Sequence, residues 1–251
     1  MLHGEGLVLM RGERAVLDGC DLELRAGELV LLAGRNGAGK STLLRLLLGA
    51  ESPMAGRVVL DDRALDRWEP SARARQVAFV PQGVECPFEF TGRELVAMGR
   101  YPHRPGNAAL QAEDLAAVAR ALAIVDAEAF ADRPVTTLSG GEQRRITVAR
   151  ALATEAPLLL LDEPTANLDL EHALQLVALL RREATGGRGV LVASHDLNLL
   201  APHCDRVALL HGGKIVASGA PRQVLSPRWV KDVFGVESGD PAGWFPREFR
   251  L

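Results

Sequence analysis

An α/β fold, with an antiparallel β-layer at its start and a block of helices set into its middle, is what the sequence predicts. Three observations carry that reading. Short apolar runs of strand length, "LVLLA", "AFV", "LLLL" and "VLVA", each stop at a glycine, a proline or a polar residue. Between them lie segments whose leucines recur at helical spacing. One long stretch, 84–156, has helical periodicity and no convincing strand, and strands resume after it.

Taken in order, "GLVLM", "RGER" and "AVLDGCDLELRAGE" alternate apolar runs with turn residues up to about residue 30, as an antiparallel layer does. "ELVLLAG" is a buried strand, and "GKSTLLRLLLGA" is a helix with a leucine stripe, ended by Gly49. "GRVVLDD" and "QVAFVPQ" are two more strands. Within the insert, "TGRELVAMGR" and "LQAEDLAAVARALAIV" are helices. Strands return at "PLLLLDEP", "GVLVAS" and "RVALLHGGKIVASG", with helices "DLEHALQLVALLRREA" and "HDLNLLAPHC" between the first three of these; "GGRG" at 186–189 is a tight connection. The chain therefore divides into a core, 1–83 and 157–218, a helical subdomain, 84–156, and a tail, 219–251. It contains no internal repeat and no low-complexity tract.

With 47% hydrophobic and 24% charged residues in 251, the chain can bury a large core and is not wholesale disordered. The formal charge, 29 − 32 = −3, supplies no global basic field, so no nucleic-acid partner is expected. Cys20, Cys86 and Cys204 are far apart and form no CxxC pair, as expected of idle thiols in a reduced compartment. No apolar run approaches the length of a membrane span, and "MLHGEGLVLM" lacks a basic leader region. A soluble cytosolic chain that docks on a membrane partner is the expectation.

The chemistry concentrates in a few motifs. "GRNGAGKST", residues 34–42, has the G-x-x-x-x-G-K-[ST] pattern between a strand and a helix. There the backbone of Gly34, Arg35, Asn36, Gly37, Ala38 and Gly39 can curl around phosphates, Lys40 can neutralise the β and γ charges, and Ser41, next to Thr42, can hold Mg²⁺. "LLLLDEP" ends a strand in two acids: Asp162 is placed to hold the metal shell and Glu163 to polarise an attacking water. His195 follows another strand, at the sheet edge where ligands gather, and can meet a γ-phosphate. Gln82, after "AFVP", can reach the metal or the water from a similar position. "TLSGGEQRR" adds a capping box, Ser139 with Glu142, around the bare Gly140 and Gly141, an uncovered helix start that suits an anion. Arg144 and Arg145 after it are expected on a solvated helix face.

In this order the motifs resemble the ATP-binding subunit of an ATP-binding cassette (ABC) transporter: the phosphate loop, Gln82, the signature "LSGGEQ" at 138–143, "LLLLDEP", the "NLD" turn at 167–169 and His195. The resemblance implies a phosphate-loop NTPase core of the ABC ATPase kind, with ATP and Mg²⁺ as ligands. It implies a head-to-tail homodimer in which Ser139, Gly140 and Gly141 of one copy cover the γ-phosphate held by the other, with Asp169 near the seam. Glu142 stands where the family more often has glutamine, and keeps the capping geometry. Arg11 occupies the place of an adenine-stacking aromatic, and a guanidinium plane can also stack on a base. ATP-driven closure and hydrolytic reopening would then drive a membrane permease dimer at the cytoplasmic face, served by a periplasmic-type binding protein.

"FEFTGRELVAMGRYPHRPG", 88–106, is similar to the branch serving importers of haem, iron siderophores and cobalamin, and its helix end would receive a short helix of the permease. The tail, "VLSPRWVKDVFGVE" and then "DPAGWFPREFRL", resembles the haem-importer members. Siderophore or cobalamin import is the alternative, and the ATPase of iron–sulfur cluster assembly a lesser one. Long coiled coils, zinc modules or tandem cassettes, usual in the DNA-repair and chromosome-organising relatives, are missing. The six histidines, His103 included, have no spacing that suggests cargo ligation.

Overall fold

The computed structural model describes residues 1–83, 89–104, 106 and 108–235. Cys86, Phe88 and Pro105 of the 88–106 phrase, and the tail from 236 onward lie outside the described residues.

Strand β1 (Leu2–Arg11) turns back at Gly12 into β2 (Arg14–Leu24), and the two pair antiparallel from Leu2 opposite Leu24 to Arg11 opposite Arg14. After them come β3 (Leu29–Ala33), the phosphate-loop motif, and α1 (Lys40–Leu47), which Gly49 ends at φ 66°, a conformation that costs glycine little. β4 (Ala55–Leu60) and the short β5 (Arg63–Ala64) do not enter the central sheet; they complete an antiparallel layer ordered β2-β1-β4-β5. After α2 (Pro70–Ala74), β6 (Val77–Val80) becomes an edge of the second sheet.

The insert folds as expected, without a named strand among its described residues. A capping box of Thr91 and Glu94 starts α3 (Gly92–Ala97), which tightens into a 3₁₀ turn, Met98–His103, around Pro102. α4 (Ala112–Ile124) and α5 (Gly140–Ala153) follow. The 3₁₀ turn lies close on α5: a Cβ at Gly99 would stand 2.2 Å from the Arg150 carbonyl oxygen. The buried Arg100 guanidinium pins the same junction, donating to Asp114 (2.9 Å), the Ala153 carbonyl (2.8 Å) and Glu155 (2.8 Å).

The chain re-enters the second sheet with β7 (Leu158–Asp162), α6 (Leu170–Thr185) and β8 (Gly189–Ser194). "HDLNLLAPHC" yields only the short α7 (Leu197–Leu200) and a 3₁₀ turn, since Pro202 cannot continue a helix ladder. The hairpin β9 (Arg206–His211) and β10 (Lys214–Gly219), then α8 (Pro221–Val224) and α9 (Pro227–Phe234), complete the described chain. The order of this sheet is β10-β9-β3-β8-β7-β6, parallel except for β10.

The sheet is buried on both faces, which explains strands that read as unbroken apolar runs. Successive residues point to opposite faces and enter different cores. Leu29, Leu31, Leu159, Leu161, Val190 and Val192 pack with the helices of the insert and α6. Val30, Leu32, Leu158, Leu160, Leu191 and Ala193 pack with α1 and the antiparallel layer. Each such leucine removed from water contributes about 1.5–3 kcal/mol. The parallel register sets Ala33 beside Ser194, Asp162 beside Ala193, and Val80 beside Leu161. The chain segments that follow these ends, led by Gly34, Glu163, His195 and Pro81, therefore emerge at one edge.

Candidate nucleotide site

Gly34 to Gly39 leave β3 as a loop and enter α1 through Gly39 at φ 107°, with no side-chain cap. A Cβ at Gly39 would sit 2.9 Å from the Val16 carbonyl oxygen, so a larger residue is excluded by conformation and by space. The uncapped first-turn N–H groups suit an anion. Lys40 is buried, and its ammonium curls back over the loop to donate to the carbonyls of Gly34 (2.9 Å) and Arg35 (3.4 Å).

The same ammonium lies 3.3 Å from Glu163 Oε1. Glu163 sits just past β7 at φ 44°, a left-handed conformation uncommon outside glycine. Its N–H donates to the Ala193 carbonyl (2.8 Å), and its Oε2 accepts from Ser194 Oγ (3.1 Å) and meets His195 Nδ1 at 3.0 Å. The hydroxyl of Ser194 accepts in turn from the Asp196 N–H at 3.1 Å. Burial pushes the Glu163 carboxyl up, but the His195 contact and Lys40 outweigh it and hold the group below its usual range. A buried carboxylate kept ionised and aimed by two side chains is able to take a proton from water.

Asp162, its neighbour, is shifted the other way. Burial raises it more than the Ser41 side chain and Lys40 lower it. Its Oδ1 is buried without a hydrogen-bond partner. A carboxylate oxygen in that condition, beside a hydroxyl, has the donor chemistry of a hard cation such as Mg²⁺.

Other residues named from the sequence stand apart from this cluster. Arg11, at the exposed end of β1, pairs with Glu51 at 2.5 Å. Ser139 caps α5: its Oγ accepts from the Glu142 N–H (3.3 Å), and Glu142 Oε2 accepts from the Ser139 N–H (2.7 Å). That backbone donation holds the Glu142 carboxyl below its usual range. Ser139, Gly141 and Glu142 line a cleft with Asn167, Leu168, Asp169 and His172, and no phosphate-loop residue lines it. A Cβ at Gly140 would meet nothing within 4 Å, so packing within the chain does not require glycine there. Asp169 caps α6 through the His172 N–H (2.9 Å) and also meets His172 Nδ1 at 2.6 Å.

The expectation of a solvated face at Arg144 and Arg145 is overturned. Arg144 is buried and donates to the carbonyls of Pro81 (2.7 Å) and Gln82, while the Gln82 side chain is exposed. Arg145 is half-buried and donates to the Asp126 carbonyl (3.4 Å) and the Gln175 amide oxygen (3.3 Å). The cause is tertiary: the helix surface that carries them faces the start of the insert on one side and α6 on the other. Ser194 also escaped the sequence reading. Its signal was a hydroxyl closing a wholly apolar strand, since a buried hydroxyl needs a partner.

Comparison with known proteins gives this geometry its context. Residues 17–166 match the family model described as ABC transporter. The hemin import ATP-binding protein HmuV of Pseudomonas aeruginosa is 44% identical over 94% of this chain and 93% of its own length. The cobalamin import ATP-binding protein BtuD of Halobacterium salinarum is 44% identical over 87% of this chain and 55% of its own. Among solved structures, the dimeric structure of the bacterial ABC transporter cassette MJ0796 superposes with a TM-score of 0.79 at 27% identity, covering 88% of this chain and 99% of that one. A family match over more than half the chain, on a phosphate-loop core of the same fold, means that this protein belongs to the ABC transporter family, as an ATP-binding subunit that hydrolyses ATP.

Proposed function

We propose that this chain powers haem import: two copies close head to tail over ATP and reopen on hydrolysis, and a membrane permease dimer follows that motion. The observation that carries the ATP chemistry is the cluster at the sheet edge. There Glu163 is braced by Ser194 and His195 within reach of Lys40, next to an unpartnered Asp162 oxygen. Residues 34–42 hold the phosphates, Lys40 exchanging its Glu163 contact for phosphate oxygens. Glu163 then accepts the proton of the attacking water, and His195 contacts the γ-phosphate. Ser41 and Asp162, with Gln82, would hold Mg²⁺, which when bound neutralises phosphate charge. Arg11 is assigned to the adenine and would give up its Glu51 partner to stack.

The pairing is supported by a capping Ser139 that is still exposed, and by a Gly140 at the same helix start where packing within the chain leaves room for a side chain. A second copy's γ-phosphate suits that surface, with Gly141 and Glu142 completing the first turn and Asp169 at the seam. The 1–83 and 157–218 segments act as the nucleotide-binding core, 84–156 as the helical subdomain that meets the permease, and 219–251 as the tail. No helix among the described residues is long and apolar enough to cross a membrane. Peripheral attachment at the cytoplasmic face, through the permease, is part of the proposal. Haem as cargo rests on the likeness to the hemin import ATP-binding protein HmuV; cobalamin, by likeness to BtuD, is the second reading.

Two measurements test this. Mixing Lys40→Ala with Ser139→Arg subunits should restore turnover, because a mixed dimer keeps one intact composite site. No rescue would sink the shared site. For cargo, the transporter reconstituted with its permease and binding protein should take up haem in preference to a ferric siderophore or cobalamin. Preferential cobalamin uptake would reverse the assignment.

A further inference from the structure

We infer that Arg144 is a positioning residue for Gln82, a role that rests on the proposed contact of Gln82 with the metal and the attacking water. Arg144 lies in the second turn of the helix that Ser139 caps, roughly 7.5 Å along the axis from that cap at 1.5 Å per residue. Its buried guanidinium donates to two consecutive carbonyls, Pro81 and Gln82, where the chain leaves β6 for the insert. Burial lowers its pKa, and the field of Asp162 opposes that. The guanidinium therefore ties the signature helix to the backbone that carries Gln82, within the field of the acid proposed to hold the metal.

The planar fork of an arginine makes two directed hydrogen bonds at once, which a lysine point charge does with less geometric control. The Gln82 side chain is exposed, and the backbone from which it reaches out is tied to α5 through its carbonyl. A displacement of the α5 first turn thus shifts Gln82, since the connecting helix is stiff. Arg144 touches no phosphate; it acts through the peptide it holds.

The test is a double-mutant cycle in the full chain with Arg144→Met and Gln82→Ala. Readouts are kcat, KM for ATP and the Mg²⁺ concentration for half-maximal turnover. Arg144→Met should lower kcat roughly tenfold, in the range for losing hydrogen bonds from a charged donor. KM should change little, half-saturating Mg²⁺ should rise, and Arg144→Lys should recover part of the loss. The double variant should be no worse than the worse single one, because both changes remove the same function. Additive losses, or wild-type turnover in Arg144→Met beside an impaired Gln82→Ala, overturn the inference alone. Full turnover in Gln82→Ala overturns instead the reading of Gln82 on which it rests. Melting temperature and nucleotide binding identify a folding defect; if Arg144→Met misfolds, the cycle is run with Arg144→Lys, where additivity again overturns the inference.

Discussion

Replacing Asp162 by asparagine should stabilise the fold while abolishing turnover. The carboxylate is buried, its Oδ1 has no partner, and burial raises its pKa against the pull of Ser41, Lys40 and Arg45. An acid with a folded pKa above its unfolded value holds its proton more tightly when folded. It contributes stability at low pH that is lost as pH rises through the folded pKa. Asparagine imitates the protonated form, so the variant keeps near pH 7.5 what the wild type has lost. An unpartnered buried polar group costs about 1–3 kcal/mol, and more when charged. The amide still leaves an oxygen unpaired, so about 1–2 kcal/mol is recovered, or roughly 2–8 °C in Tm for a chain of this size. The assay is thermal unfolding in EDTA without nucleotide at pH 7.5, repeated below pH 4, where the two proteins should converge. Adding Mg²⁺ with ATP should raise the wild-type Tm and move the variant far less. An unchanged or lower Tm for Asp162→Asn in EDTA at pH 7.5 would refute the argument that this oxygen is held at a cost.

Glu163→Gln keeps the shape of the braced side chain but not its basicity, so turnover should fall about 10²–10⁴-fold while ATP binding persists. Retained turnover would remove Glu163 as the base; the expected companion is an ATP-dependent dimer on size exclusion. Gly140→Ala should leave the unfolding free energy within about 1 kcal/mol of wild type, because the added methyl meets nothing in the chain. Its turnover should nonetheless drop if a second copy packs there, and full activity would argue that nothing does. Cys20, whose thiol burial pushes up to about 12, and Cys204, raised further by near-complete burial, should stay unreactive toward iodoacetamide at pH 8 in the native state. Prompt labelling of either in a Cys86→Ser background would contradict their packing.

Much of this molecule is local and so is readable along the chain. The glycines of 34–39, the leucine stripe of α1, the Ser139–Glu142 capping box and the strands buried on both faces each follow from short-range sterics, hydrogen bonding or periodicity. Motif order carried the family without any contact information. Other features depend on residues distant in sequence. That "GRVVLDD" joins β1 while "QVAFVPQ" edges the parallel sheet is a matter of pairing, and both runs are apolar enough for either place. Arg144 reads as a solvated charge because its partners, two carbonyls, are backbone groups that every residue has; only the packing of α5 on the end of β6 selects them. Ser194 becomes a brace for Glu163 only when β7 and β8 lie side by side in register. Side-chain chemistry and local geometry were written in the sequence, whereas the choice among equivalent backbone partners was made by tertiary packing, since those partners carry no side-chain label.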